Sequence, residues 1–517
     1  MFQVFLRSVC EETTAAIIVI VVATICIYYY KRNKGLPPGP VSFPFFGYSL
    51  ILKDDTCHRT LEKLQKKYGD VFSFTFAGTL YINMGSMKAV KEFHLTHAEC
   101  FQRSNDFSVS SCFFNNGVSV INGEPWKVLR KFSLQQLREY GMTTVKDNMS
   151  EPLYDSIQET ISFLKAKKGE PVEIVQHLTN KCNNILRCTM FGQSGITEEQ
   201  VKEINEAYTH VVAFITMTNL FYDGFLTRFI FPLKPGYWTA MKNFKIITRT
   251  LENVVNEHKS MFKKDEHPSN FIDAFLKERN DRNCKGDPTA KYFTDKALIG
   301  TLIQFVSDGV LSVALFIAIF MKHVVDHQDH QDKIYAEIVE VVGRGRAPTI
   351  EDKSKLSYTT AYMHEIMRTF EFFSVIPGQK CIKETVIRGY RIPKGAITLL
   401  NMWTCHNDPE IYPEPDKFNP SRFMCEEKSK RPDLPITFGV GRRTCIGEGY
   451  TMSQIFLFLT TIIQNFKLTY PEGSEIGNYE FLLSGKLNIC AIPRNEENWG
   501  EKMLHCVKEK QVIVLKK

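Results

Sequence analysis

The run Phe438-Gly439-Val440-Gly441-Arg442-Arg443-Thr444-Cys445-Ile446-Gly447 gathers the residues of this chain best suited to chemistry. Cys445 offers a thiolate, the form of cysteine that attacks electrophiles and ligates metals. Gly439 and Gly441 let the backbone turn tightly and aim amides at the sulfur, and Phe438 can shield it. Gly447 permits close approach of a flat macrocycle, and Arg443 can pair with a carboxylate on that macrocycle. A solitary cysteine is ordinarily a packed thiol. Cys445 is set apart from the rest of the 14 cysteines by the full spacing F-G-x-G-x-R-x-C-x-G.

Three other spacings point the same way. Glu365-Ile366-Met367-Arg368 places a carboxylate and a guanidinium at i,i+3, on one face of a helix. Such a pair alone is usually a weak, solvated surface contact, and only its order and distance before Cys445 give it weight. Phe418-Asn419-Pro420-Ser421-Arg422-Phe423 supplies a further arginine. In Trp126-Lys127-Val128-Leu129-Arg130 an indole N–H and a guanidinium lie one turn apart and can donate to the same acceptor; the plain alternative is an exposed cation–π pair.

With these segments the chain resembles the cytochrome P450 family of haem-thiolate enzymes over essentially its whole length. Lys131 to Met142, Asn270 to Leu276, Gly389 to Gly395 and the prolines from Pro37 to Pro40 fit the microsomal, family-2-like animal branch. The resemblance implies haem b with Cys445 as axial ligand, and Phe438, Gly447, Trp126, Arg130 and Arg443 around the cofactor. It implies that Glu365, Arg368 and Arg422 form a buried charge triad. Lys380 falls where relatives place a propionate-binding arginine, which keeps the charge but loses the bidentate fork. By position, Phe113, Phe114, Val375, Ile376 and Leu483 are candidates to line a substrate pocket, and each is more readily read as plain core.

One part of the family pattern is missing. The oxygen-activating helix usually reads A-G-x-(acid)-T, whereas an ungapped count places Asp308-Gly309-Val310-Leu311-Ser312 there. Gly309 keeps the glycine, Ser312 keeps a hydroxyl, and Leu311 replaces the acid. Asp308 and Ser312 are i,i+4 and share a face, with Gln304 one turn back, so Ser312 is expected to hydrogen-bond dioxygen and Asp308 to supply protons. The bland alternative has Asp308 binding substrate or capping a kinked turn.

Elements must hold these residues in place. The chain has 517 residues, with 64 Lys+Arg against 57 Asp+Glu (64 − 57 = +7) and 44% hydrophobic residues, enough for a large core and against disorder. The charge is dispersed, with no basic block, so nucleic acid is not expected as a partner. The cysteines are scattered without a C-x-x-C pair and read as reduced thiols of a cytosolic body. An apolar run from Thr13 to Tyr30, about 18 residues or about 27 Å as a helix, is long enough to span a bilayer. Glu11 and Glu12 precede it and Lys31, Arg32 and Lys34 follow, so the N-terminus is expected outside and the body in the cytosol, with an uncleaved anchor rather than a signal peptide. The expected organisation is an anchor over 1–35, a proline-rich hinge over 36–45 and a haem-thiolate catalytic domain over 46–517.

Val71 to Ala77 alternates as a strand entering a hairpin at Gly78, a long helix is expected from about Thr294 to Asp326, and polar loops are expected at Lys263 to Asn270 and Glu278 to Pro288. Ala297 to Phe320 is apolar enough to suggest a second span, but Asp308 near its centre would cost about 2.5–3.5 kcal/mol, which favours a buried helix. The fold class is mainly α (α+β): a helix-rich body with small β-sheets and a single N-terminal transmembrane helix.

An axial thiolate favours O–O cleavage, whereas a His ligand favours reversible binding or electron transfer. The expected function is therefore insertion of one oxygen atom from O2 into a lipophilic small molecule such as a steroid, fatty acid or xenobiotic. The resemblance implies electrons from NADPH-cytochrome P450 reductase, sometimes with cytochrome b5, docked on Lys127, Lys131, Arg138 and Arg442 at the endoplasmic reticulum. No G-x-G-x-x-G dinucleotide motif is present. The alternatives are a haem-thiolate isomerase or dehydratase acting on a hydroperoxide without reductase, and a non-catalytic haem or lipophile binder.

Overall fold

The computed structural model describes residues 34–41, 46–104, 106–114, 116–139, 147–192, 195–263, 266–370, 374–425, 427, 431–474 and 486–494, with the backbone alone at 147–150, 307, 308, 310 and 311. The apolar run Thr13 to Tyr30 and Leu483 lie outside these residues. Among the described residues no helix is long and apolar enough to cross a membrane.

The helices of eight or more residues are α1 (Cys57–Tyr68), α2 (Gly123–Glu139), α3 (Asp147–Ala166), α4 (Ile174–Phe191), α5 (Glu198–Phe214), α6 (Tyr237–Met261), α7 (Phe271–Cys284), α8 (Asp295–Asp326), α9 (Gln328–Val341), α10 (Ser357–Thr369) and α11 (Glu448–Asn465). Thr294 caps α8 by accepting the Ala297 N–H at 3.1 Å, so the helix begins where a threonine before an apolar run predicts. Leu298, Leu302, Val313, Ala314, Ile317 and Phe320 of α8 are buried, and α8 packs against α4 and α11. A helix apolar nearly all round belongs inside a core, which is where α8 sits. The expected loop from Glu278 to Pro288 is instead helical as far as Cys284 at the end of α7. Its polar residues build that helix through ion pairs such as Arg282 with Glu278 at 2.7 Å.

The strands are β1 (Val71–Phe76), β2 (Thr79–Met84), β3 (Phe101–Gln102), β4 (Val172–Glu173), β5 (Val375–Cys381), β6 (Thr385–Ile387), β7 (Tyr390–Ile392), β8 (Ile397–Asn401), β9 (Phe466–Thr469) and β10 (Asn488–Pro493). They form sheets in the orders β1-β2-β8-β5-β3, β4-β10-β9 and β6-β7. β1 and β2 pair across Ala77 and Gly78, both at positive φ (47° and 82°), the geometry that keeps a two-residue turn in step with strand twist. β8 pairs in parallel with β2 and antiparallel with β5, whose register shifts between Pro377 and Lys380. That shift matters for the site, because a bulge re-aims the side chains beyond it.

Candidate active site

Cys445 lies on the loop that leads into α11, and its N–H donates to the Phe438 carbonyl at 2.9 Å, closing the loop on itself. Gly441 is the tight point. Its φ is +79°, and a Cβ there would meet the His94 carbonyl at 2.6 Å, so only glycine fits. At Gly447 a Cβ would stand 3.9 Å from the Cys445 sulfur, occupying space beside it. Phe438 is half-buried and packs on Phe316 of α8, with ring centroids 6.2 Å apart.

Beside this loop Arg103, Arg130 and Arg443 come together. Arg443 stacks on Trp126 with its guanidinium carbon 3.9 Å from the ring centroid, and Arg130 lies 5.9 Å from the same ring. Arg130 Nη2 donates to the Thr444 carbonyl at 2.6 Å, next to the cysteine. Arg443 Nη2 donates to the Ile121 carbonyl (2.9 Å) and to Asn122 Oδ1 (2.8 Å). Burial, then the charges of Arg103, Arg130 and Arg442, push Arg443 down to about 9. Burial and Arg130 likewise lower Arg103, and burial lowers Arg130 while Cys445 acts against that shift. None of these three arginines forms an ion pair with a carboxylate among the described residues.

The cluster also holds idle donors. Trp126 Nε1, Arg103 Nε and Arg443 Nη1 are buried without a hydrogen-bond partner among the described residues. Buried donors are normally satisfied, and buried like charges repel, so this arrangement is complete only around an anion. A haem, with two carboxylates and an iron that takes a thiolate, fits the donor set and the cysteine next to it.

A second arginine cluster backs the loop. Arg368 donates to Glu365 through Nε (2.9 Å) and Nη2 (2.8 Å), and Arg422 Nε reaches both oxygens of Glu365 at 3.2 Å. The remaining guanidinium donors find the carbonyls of His406, Pro415, Pro413 and Lys417, and Glu365 also accepts the Asn419 N–H at 2.8 Å. Glu365 and Arg368 have no exposed side-chain surface, so the pair is a fully satisfied interior one and not the surface contact that the spacing alone suggests.

Two expectations need correction. Lys380 is not among the arginines beside the cysteine. Its Nζ pairs with Asp106 and, at 3.2 Å, with Asp223, on a strand whose register shifts just before it. Arg103 stands there instead, with Nη1 donating to the Gly378 carbonyl at 3.2 Å across that bulge. No sequence motif marks Arg103; it follows β3, which pairs with β5, so only the sheet brings it in. The second correction concerns the pocket. Phe113 and Val375 have no accessible surface at all, Phe113 being enclosed edge-on by Phe214 and Phe244, so neither lines a cavity. Phe114 and Ile376 are half-buried.

On α8, Ser312 is half-buried, and the Asp308 side chain lies outside the described residues. Gln304, one turn before Asp308, has a different task. It accepts the Ser119 N–H at 3.0 Å and donates to the Phe114 carbonyl at 3.3 Å, pinning the loop before α2.

A family model for cytochrome P450 matches residues 37–489. The chain belongs to the cytochrome P450 family. It is 30% identical to cytochrome P450 2F5 of Gorilla gorilla gorilla over 487 residues, 90% of this chain and 95% of that one. It is 28% identical to cytochrome P450 2J1 of Oryctolagus cuniculus over 489 residues, 90% and 92% of the two chains, and 30% identical to cytochrome P450 2G1 of Rattus norvegicus over 448 residues, 84% and 88%. The protein therefore has the P450 fold and is a P450 monooxygenase. Its family uses haem b with cysteine-thiolate ligation of iron and electrons from NADPH delivered through a reductase.

Proposed function

We propose that Cys445 is the thiolate ligand of haem b and that this P450 inserts one oxygen atom into lipophilic small molecules of the steroid, fatty acid or xenobiotic kind. The observation that carries the reading is the set of idle donors on Arg103, Arg443 and Trp126 beside the cysteine loop. Haem bound there supplies the dioxygen and one-electron chemistry that side chains lack. The protein's own part is to hold it. Arg103, Arg130, Arg443 and Trp126 bind its carboxylates and fix its orientation, and Gly447 leaves room beside the sulfur. The start of α11 favours negative charge on that sulfur, and the Phe438 carbonyl holds the Cys445 N–H. Ser312 holds a proton at Oγ and the Asp308 carboxyl supplies it, in place of the acid lost at Leu311.

The surface supports a reductase at one face and lipid at another. Lys127, Lys131 and Arg138 are exposed along a groove of about 550 Å³ on α2, and Arg442 is exposed on the cysteine loop, a basic array suited to NADPH-cytochrome P450 reductase or cytochrome b5. Phe225, Phe229 and Leu233 between α5 and α6 and Trp238 at the start of α6 are exposed, and Phe46, Leu50 and Ile51 are exposed near the start of the body. The Thr218 N–H donates to Asp54 at 2.6 Å and joins the two regions. An apolar face of this kind suits a body resting on the endoplasmic reticulum membrane, anchored by a single N-terminal span.

The deciding experiment is the absorbance of the dithionite-reduced protein under carbon monoxide. The wild type should show the signature of sulfur-ligated haem and Cys445→Ala should lack it; a signature that survives in Cys445→Ala sinks the assignment. Ser312→Ala should uncouple electron consumption from product formation. Because Leu311 breaks the family's oxygen-handling string, isomerase or dehydratase chemistry is the second reading. Turnover of a hydroperoxide without reductase, together with none from O2 and reductase, would establish it.

A further inference from the structure

Ile436 lies between Pro435 and Thr437 at the entry to the cysteine loop, outside any helix or strand, and is 7% exposed. A buried N–H in such a place must find an acceptor in a side chain or a water. It finds His406, whose Nε2 accepts it at 2.9 Å. His406 ends the short helix Met402–His406 and is itself buried. Its carbonyl accepts from Arg368 Nη1 at 3.0 Å, so one residue joins the Glu365 cluster through its backbone and the cysteine loop through its ring. Burial first, then the Arg368 charge, pushes the imidazole down to about 3, so the ring is neutral at working pH and its proton sits on Nδ1.

The following residues carry this fixation to the sulfur. Thr437 Oγ1 donates to the Met367 carbonyl of α10 at 3.0 Å, the Gly439 N–H returns to the Ile436 carbonyl at 2.8 Å, and the Cys445 N–H returns to the Phe438 carbonyl. The exit leg is held separately, by Arg130 on Thr444. Resting on the reading of Cys445 as the haem ligand, we propose that His406 is a positioning residue, whose ring holds the entry leg of the thiolate loop against the helix bearing Glu365 and Arg368.

The test uses the full-length holoprotein. His406→Leu removes the acceptor at similar bulk, His406→Gln restores a neutral one, and Thr437→Val removes the neighbouring tether. The rate at which the reduced, carbon-monoxide-bound protein loses the thiolate signature is measured with the reduction potential, and helix content by circular dichroism reports the fold. An orphaned buried amide is worth roughly a decade in an equilibrium constant, so His406→Leu should lose the signature about tenfold faster at unchanged helix content. His406→Gln should restore the rate to within about threefold, and the double variant of His406→Leu with Thr437→Val should be non-additive, since both act on one segment. A His406→Leu protein with wild-type rate and potential, or a His406→Gln protein no better than His406→Leu, overturns the proposal. Where His406→Leu does not fold, Thr437→Val decides: faster loss of the signature supports the proposal and an unchanged rate overturns it. Absence of the signature from the wild type removes the ligand reading and this proposal together, whereas its presence with an indifferent His406 removes this proposal alone.

Discussion

Arg368 and Arg422 share the carboxylate of Glu365 and spend their other donors on backbone carbonyls, whereas Arg103, Arg130 and Arg443 face one another with no carboxylate among the described residues and with donors left idle. Both clusters flank the cysteine loop, the first fully buried at Glu365 and Arg368, the second half-buried. The first is balanced by the protein and serves the fold. The second has no carboxylate partner among the described residues, so it stores repulsion that an anionic ligand would relieve. Buried charge is therefore no single signal: whether its partners belong to the chain decides whether it marks structure or a site.

The contrast predicts effects of different size and sign. Glu365→Gln leaves two buried guanidiniums without their counter-charge and should destabilise the protein by about 3–5 kcal/mol, read as the urea midpoint or as loss of folded material. Arg443→Leu should behave in the opposite way in the haem-free protein, leaving stability equal or higher, while weakening haem retention about tenfold to hundredfold in transfer to an acceptor haem protein. If Arg443→Leu destabilises the haem-free protein as Glu365→Gln does, the two clusters are not different in kind.

A finer cut separates Arg103 from Lys380. Arg103→Leu should weaken haem retention about tenfold, whereas Lys380→Met, whose charge is already taken by Asp106 and Asp223, should change it by less than about twofold. The smallest effect is one of pH. Arg443 is pushed down to about 9 in the folded chain, below its ordinary value. Under pH 9 both states hold the proton and the penalty is fully present; above it the unfolded chain alone keeps the proton, so haem-free stability should gain a rising component with pH. The difference between wild type and Arg443→Leu in urea midpoints across that range isolates the component. It should vanish once haem carboxylates hold the guanidinium charged.

Much of this was legible without coordinates, for reasons that differ by element. The α8 start at Thr294, the hairpin at Ala77-Gly78 and the helix carrying Glu365 and Arg368 follow from capping, alternation and i,i+3 spacing, all interactions between near neighbours. Arg103 and Lys380 could not be sorted that way, because the pairing of β3 with β5 brings Arg103 beside the cysteine loop while Lys380 pairs with Asp106 and Asp223. Phe113 and Phe114 are adjacent and alike in type, yet one is sealed in an aromatic cluster and the other is half-buried. His406 carried no signal at all, because its role depends on an amide 30 residues away.

The string from Phe438 to Gly447 marked the cysteine loop by itself, since the spacing of its glycines, Arg443 and Cys445 is read from near neighbours along the chain. The large helical body and the apolar run before it were likewise written in composition and periodicity, and the resemblance to the family in the motifs around Cys445, Glu365 and Trp126. What the tertiary structure alone decided was the matching of charges: Glu365 with two arginines, Lys380 with two aspartates, and three arginines with no carboxylate among the described residues. Electrostatic energy depends on distance and desolvation, and neither is set until distant segments have packed.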